Sequence, residues 1–284
     1  KAGSVQLYGN LTNNGTFTLN SDSNEFSSLL VSGAASGDII YNRYVNIEGT
    51  GKWDLIGAPV SNMAFSSLIT DANIAANGSF YAVGAYDNTT DTWTNVTAAT
   101  AGNLALGQGY QMATTGGGTL SFAGAIANGD QSVTITNNDA ANSGAGRRWN
   151  LIANPFASYL NGNSNADETN NFLTFNTTAE NDVIDDNFEA IYGWKADGTG
   201  YAIYNNTSTA TYIAPGQGFF VAAAGSGGAQ TITFTKAMQT VTGVDDFVAA
   251  KSPASYELVL DMYSDAVKVD DTKFYFKEGL TLGL

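Results

Sequence analysis

The sequence has no cysteine and no histidine. Without cysteine there is no disulfide framework, no thiol nucleophile and no thiolate metal site. Without histidine a Ser-His-Asp triad is excluded within the chain. Charge is scarce as well: Asp, Glu, Lys and Arg together make up 13% of the residues, about half the usual share. Basic residues are scarcest, 11 against 26 acidic ones, for a net charge of −15. A chain this poor in Lys and Arg lacks the footprint that releases counterions from a polyanion, so nucleic acid is not an expected partner. Direct docking on anionic lipid is disfavoured for the same reason. No run approaches the ~20 apolar residues of a membrane-spanning helix. Proline occurs only four times, and helical periodicity is almost missing.

What remains is a hydrophobic fraction of 43% and 32 glycines over 284 residues. That supports a real core and argues against wholesale disorder. Short runs of β-branched and aromatic residues alternate with Gly, Asn, Asp and Ser clusters, which predicts an all-β fold. The polar surface must be mostly Asn, Ser, Thr, Gly and Tyr, a neutral surface that suits life outside the cell. The abrupt start and end of the chain read as a segment of a longer polypeptide.

The chain repeats itself. Residues 53–59 read WDLIGAP and residues 149–155 read WNLIANP, an offset of 96 residues (149 − 53). Residues 104–113, LALGQGYQMA, match residues 213–222, IAPGQGFFVA, with Gln108 and Gln217 offset by 109 (217 − 108). Each copy also carries a candidate hairpin between these motifs, at 81–96 and 190–205, and a strand ending in Phe122 or Phe234 after them. Four landmarks in one order make a duplication. A period near 100 residues is too long for a solenoid and predicts two tandem, homologous β-sandwich units of jelly-roll-like type. The predicted division is a strand-rich N-terminal segment, 1–46; a first repeat, 47–140; a second repeat, 141–243; and a linker with the start of a further β unit, 244–284.

Within W-x-L-I-x-x-P, alternation puts Trp and Leu on one side and Ile on the other. Trp53 and Trp149 are expected to anchor the two cores, with Pro59 and Pro155 turning the chain out. The Gly-Gln-Gly blocks are expected to make tight turns or close approaches; they lack the GK[ST] of a phosphate loop. Acid-rich turns are the candidates for chemistry. Asp87 and Asp91, Asp182, Asp185 and Asp186, and Asp270 and Asp271 are candidate Ca²⁺ ligands, since that ion takes several oxygen donors; solvated turns are the alternative reading. Aromatic residues crowd the two hairpins. Tyr86, Trp93, Trp194 and Tyr201 are candidate ligand-binding residues, because rings beside Asn and Asp can pack on sugar C–H faces while amides bond hydroxyls. Ordinary cross-strand pairing suits them equally.

Residues such as NLTNNGTFTLNS, GDIIYNRYVN, WDLIGAPV, WNLIANPF, IAPGQGFFVAA and ITFTKAMQ together resemble secreted surface proteins of Bacteroidetes. Such proteins commonly carry a C-terminal type IX secretion sorting domain, and the closing DDTKFYFKEGLTLGL resembles the segment that leads towards one. The resemblance implies an extracellular or outer-membrane-attached location, contact with the outer-membrane secretion machinery, and origin in a larger polypeptide. It assigns no catalytic residue. The expected function is a non-enzymatic surface module, an adhesin or a glycan-binding stalk, with a glycan or surface polymer as partner. A structural spacer or cargo segment without a small ligand is one alternative, and a hydrolase using paired carboxylates is another.

Overall fold

A computed structural model describes residues 2–49, 51–139, 146–195, 197–225, 228–243 and 245–246, together with the backbone of strands Ser255–Ser264 and Val267–Lys277. The fold is all-β. Residues 1–249 form one compact unit and residues 250–284 a second. The second unit contains an antiparallel hairpin, Ser255–Ser264 with Val267–Lys277, broken by an irregularity after Met262.

The duplication in sequence is a duplication in topology. In the first copy the sheet order runs from hairpin strand Thr92–Thr97 to hairpin strand Phe80–Asp87, then to Tyr110–Met112, which leaves the Gly-Gln-Gly turn, then to Asp54–Ile56, which follows Trp53. In the second copy the order is Tyr201–Tyr204, Ile191–Trp194, Gly218–Ala222, Trp149–Ala153. The registers agree: Gln111 pairs with Leu55, and their counterparts Phe220 and Leu151 pair likewise.

Each copy also owns a strand that precedes its Trp motif. Asp38–Val45 pairs antiparallel with Gly118–Ala125, and Gln131–Thr136 pairs antiparallel with Ala229–Phe234. These leading strands sit ahead of positions 47 and 141, where motif matching alone starts the two copies. They carry no residue identities in common, only alternation. In Asp38–Val45 every second side chain from Ile39 onward is buried, as a strand with one face on a core requires.

Two hydrophobic cores result. The first gathers Leu19, Ile39, Tyr41, Ile56, Met112 and Phe122, so the N-terminal segment and the first copy share it. The second gathers Ile135, Ile152, Phe172, Phe219, Ile232 and Phe234, with the leading strand of the second copy inside it. The N-terminal segment itself coils. Ser4–Leu7 pairs in parallel with Ser28–Val31, Leu11–Thr12 with Ala35–Ser36, and Thr18–Asn20 with Ile40 to Asn42. Successive parallel pairings in one short segment stack two turns of chain on each other. At one corner of this coil a Cβ on Gly33 would lie 2.3 Å from the Asn10 side chain.

The two copies join through a pseudo-twofold seam made of the repeated motifs. Ile56 bridges Gln217, and Ile152, the counterpart of Ile56, bridges Gln108, the counterpart of Gln217. The Gly57 N–H donates to the Gly216 carbonyl at 2.9 Å, and the equivalent Ala153 N–H donates to Gly107 at 2.8 Å. Residue i meeting j while j′ meets i′ is the pattern of an isologous interface. Tight packing there explains the glycines. A Cβ on Gly57 would lie 2.3 Å from that of Ala153, and one on Gly109 would lie 2.6 Å from Leu151 Cγ. Gly107 and Gly216 both take positive φ, 76° and 64°, where a side chain is disfavoured. The Gly-Gln-Gly blocks thus do both things expected of them: each makes a tight turn, with Gln108 N–H donating to Ala105 and Gln217 N–H to Ala214, and each brings backbone close to backbone, here at the seam between the repeats.

Candidate functional site: an aromatic cleft between the repeats

Each hairpin reaches over the other copy. At the turn of the first hairpin, Asn88 is buried, and its amide donates to the Thr136 carbonyl at 2.8 Å and to Asn150 Oδ1 at 3.2 Å, both in the second copy. Arg147 donates back to the Thr89 carbonyl. The second hairpin makes the reciprocal reach: Trp194 Nε1 donates to the Gly51 carbonyl of the first copy at 2.7 Å. The crossing hairpins wall a cleft that opens into two adjoining cavities of about 600 and 430 Å³.

All four tryptophans of the chain line this cleft. Trp53 and Trp194 stand in the larger cavity, Trp149 with Tyr86 and Tyr192 in the smaller, while Trp93, Tyr201 and Phe220 serve both. The rings are organised by the hairpin registers. Tyr86 pairs across strands with Trp93, ring centroids 5.1 Å apart. Trp194 pairs with Tyr201 at 5.0 Å. Both pairs converge on Phe220, with Tyr86 at 5.3 Å and Tyr201 at 5.9 Å in edge-to-face contacts, a favoured aromatic geometry. The four hairpin aromatics singled out from sequence thus come together in one place, although the two pairs lie more than 100 residues apart (201 − 93 = 108).

Trp53 and Trp149 depart from the core role expected of them. Both are half-buried. The expected alternation holds, but the faces are exchanged: Ile56 and Ile152 enter the two cores, while Leu55 and Leu151 join the cluster under the cleft, with Trp149 and Trp194 packed on it. The cleft face is apolar because the partner copy's hairpin covers part of it. From sequence, a Trp beside Leu and Ile reads the same against a core or a cleft wall. Phe220 and Gln111 also escaped notice; their signal was the equivalence of the two Gly-Gln-Gly blocks, which puts them at matching positions.

Polar groups at the cleft are few. Glu48 and Gln111 line the larger cavity and Asp91 the smaller. Asp91 adopts a positive φ of 57° in the hairpin turn, and its Oδ1 accepts from Tyr86 Oη at 2.8 Å. Burial first, then that hydrogen bond and the Asp91 charge, push the Tyr86 phenol far above its ordinary range. Burial and Asp91 raise Tyr201 too. The Tyr86 hydroxyl gives its proton to Asp91 and keeps its oxygen as an acceptor.

The candidate calcium ligands whose side chains are described serve separate local contacts. Asp87 closes its own turn, accepting from Thr89 N at 2.8 Å and Thr90 Oγ1 at 3.0 Å, and these bonds lower its pKa. Asp185 pairs with Arg148 at 2.5 Å and caps a turn through Asn187 N. Asp182 and Asp186 are exposed. Asp270 and Asp271 lie on Val267–Lys277, whose side chains are outside what the structure describes. Among the described residues no three acidic groups are close enough to hold a metal ion.

A model of the family described as Domain of unknown function (DUF8693) matches residues 4–262, and the chain belongs to that family. No curated protein and no solved structure matches the chain.

Proposed function

We propose that this member of the DUF8693 family is a non-enzymatic module of the cell surface that binds a glycan or similar surface polymer in its aromatic cleft. One observation carries this reading: every tryptophan of the chain, with Tyr86 and Tyr201, lines a single cleft. Large apolar rings with a few convergent polar groups are the usual make-up of a small-molecule site, and each cavity falls within the ~300–1,000 Å³ of such sites. Rings present flat apolar faces that match sugar C–H faces. Gln111 and the Tyr201 phenol supply donors, and Glu48, Asp91 and the Tyr86 oxygen supply acceptors, for hydroxyls. Two of the rings stand open to solvent, Trp93 at 39% and Tyr201 at 44% exposure. The cleft thus leaves costly aromatic surface uncovered, which a folding role alone does not require. The low charge of the surface and the likeness to secreted Bacteroidetes proteins support an extracellular setting.

The test is a glycan array followed by titration calorimetry with the best hit. The double variant Trp93→Ala/Tyr201→Ala is expected to weaken binding at least ~10-fold, in line with the loss of one to two stacking contacts. Both side chains are more than half covered by neighbouring rings, so the melting temperature is expected to fall, and circular dichroism at the assay temperature verifies that the variant is folded. Unchanged affinity in a folded variant would sink the cleft as the binding site. An empty array, with loss of surface display on deleting the segment, would favour the spacer reading instead.

A further inference from the structure

The two cavities are counterparts of each other. The seam relates Trp53 to Trp149 and Leu55 to Leu151 (offset 96). The hairpin registers relate Tyr86 to Trp194 and Trp93 to Tyr201, because each forms the same cross-strand pair. The larger cavity is walled by the Trp of the first copy and the hairpin of the second. The smaller is walled by the Trp of the second copy and the hairpin of the first. Trp93 and Tyr201, themselves counterparts, line both and form the shared wall.

The two halves have diverged in polarity at three matched positions. In the first sheet, Gln111 pairs with Gly84 across strands and its amide reaches Asn95 Oδ1 at 3.4 Å. The matched positions in the second sheet are Phe220, Tyr192 and Ile203, linked by the pairings Tyr192–Phe220 and Tyr192–Ile203. In one half Gly84 makes room for the Gln111 and Asn95 amides, and Gln111 faces the larger cavity; in the other, Phe220, Tyr192 and Ile203 give the smaller cavity an aromatic and aliphatic floor. The larger volume belongs to the amide side.

We propose that the cleft is one site with two unlike subsites for a linear glycan of at least two sugar rings. The subsite of Trp53 and Gln111 reads the hydroxyl or amide edge of one ring, and the subsite of Trp149 and Tyr192 packs the apolar face of another. Each subsite carries one carboxylate, Glu48 or Asp91, on a chain of net charge −15. That charge repels sulfated and uronate-rich polymers and matches neutral or amine-bearing ones. The proposal rests on the glycan reading above and extends it to the length and charge of the ligand.

The experiment is calorimetry of the full chain with cello-oligosaccharides and N-acetylated chito-oligosaccharides of one, two, four and six rings, with heparin as the polyanionic probe. Affinity is expected to climb roughly 10–100-fold as the ligand comes to fill both subsites, then level off, because the second contact is made at high effective concentration. Trp53→Ala and Trp149→Ala should each return the long ligand to the affinity of the short one. Gln111→Phe should weaken N-acetylated ligands more than cello-oligosaccharides. Glycan binding that ignores chain length, or that only one of the two Trp variants weakens, overturns the two-subsite proposal and leaves the glycan reading standing. Tightest binding to heparin overturns the assigned charge class. Failure of every glycan on a broad array, or capture of a proline-rich peptide in their place, removes both readings.

Discussion

Asp54 shows how one side chain carries the strain of its position. It begins the strand that follows Trp53 and accepts from Asn46 N and Nδ2, both at 2.8 Å. The residue keeps slight exposure, yet its carboxyl is enclosed by protein. Burial, then the charge of Asp246, raise its pKa to about 6, against the lowering effect of the Asn46 bonds and Arg43. A carboxyl whose pKa is higher folded than unfolded favours the folded state while it stays protonated. Its contribution is therefore complete below about pH 4 and disappears as pH rises through about 6. At ~1.4 kcal/mol per pKa unit, the ionised group costs the folded state about 3 kcal/mol near neutrality. Asp54→Asn should remove that slope: urea midpoints of wild type and variant, compared at pH 4 and pH 7, should shift in favour of the variant at the higher pH. Parallel profiles would show that Asp54 titrates normally.

At the scale of elements, the seam explains why the repeated motifs are rich in glycine. Backbone meets backbone there, and at Gly57, Gly109 and Gly218 no side chain fits without a shift of its neighbours. Gly57→Ala puts a methyl group 2.3 Å from the Ala153 Cβ and 2.7 Å from the Gln108 carbonyl oxygen. The contact lies against backbone and cannot relax by a rotamer change. Overpacking of this kind costs about 1–3 kcal/mol, and the denaturation midpoint of the variant should fall accordingly. The same substitution at Gly78, in a turn where an added Cβ meets nothing within 4 Å but φ is +61°, would pay only for the backbone, so it serves as a control for strain without crowding.

For the whole molecule, the seam and the crossed hairpins tie two separate cores into one compact unit spanning residues 1–249. Asn88 of the first hairpin bonds the second copy, and Trp194 of the second bonds the first, so neither copy keeps its cleft wall when the other unfolds. Calorimetry of the chain should show one main transition for this unit, with calorimetric and van't Hoff enthalpies in agreement. Two resolved transitions would mean that each core folds independently and the cleft is assembled afterwards.

The all-β class, the duplication and the hairpin aromatics were legible in the sequence, because turn residues, period-2 alternation and repeated Trp, Gly and Phe are local signals. The leading strands Asp38–Val45 and Gln131–Thr136 were not assigned to their copies, since alternation marks a strand but not its partner. The core role expected of Trp53 and Trp149 failed for a related reason: alternation gives two faces and does not say which is the core. Only tertiary structure decided that Ile56 and Ile152 point inward, that each hairpin crosses to the other copy, and that four tryptophans meet in one cleft. Those outcomes depend on pairings between residues about a hundred positions apart, whose energies come from packing and desolvation at the seam, and no local stretch of sequence encodes them.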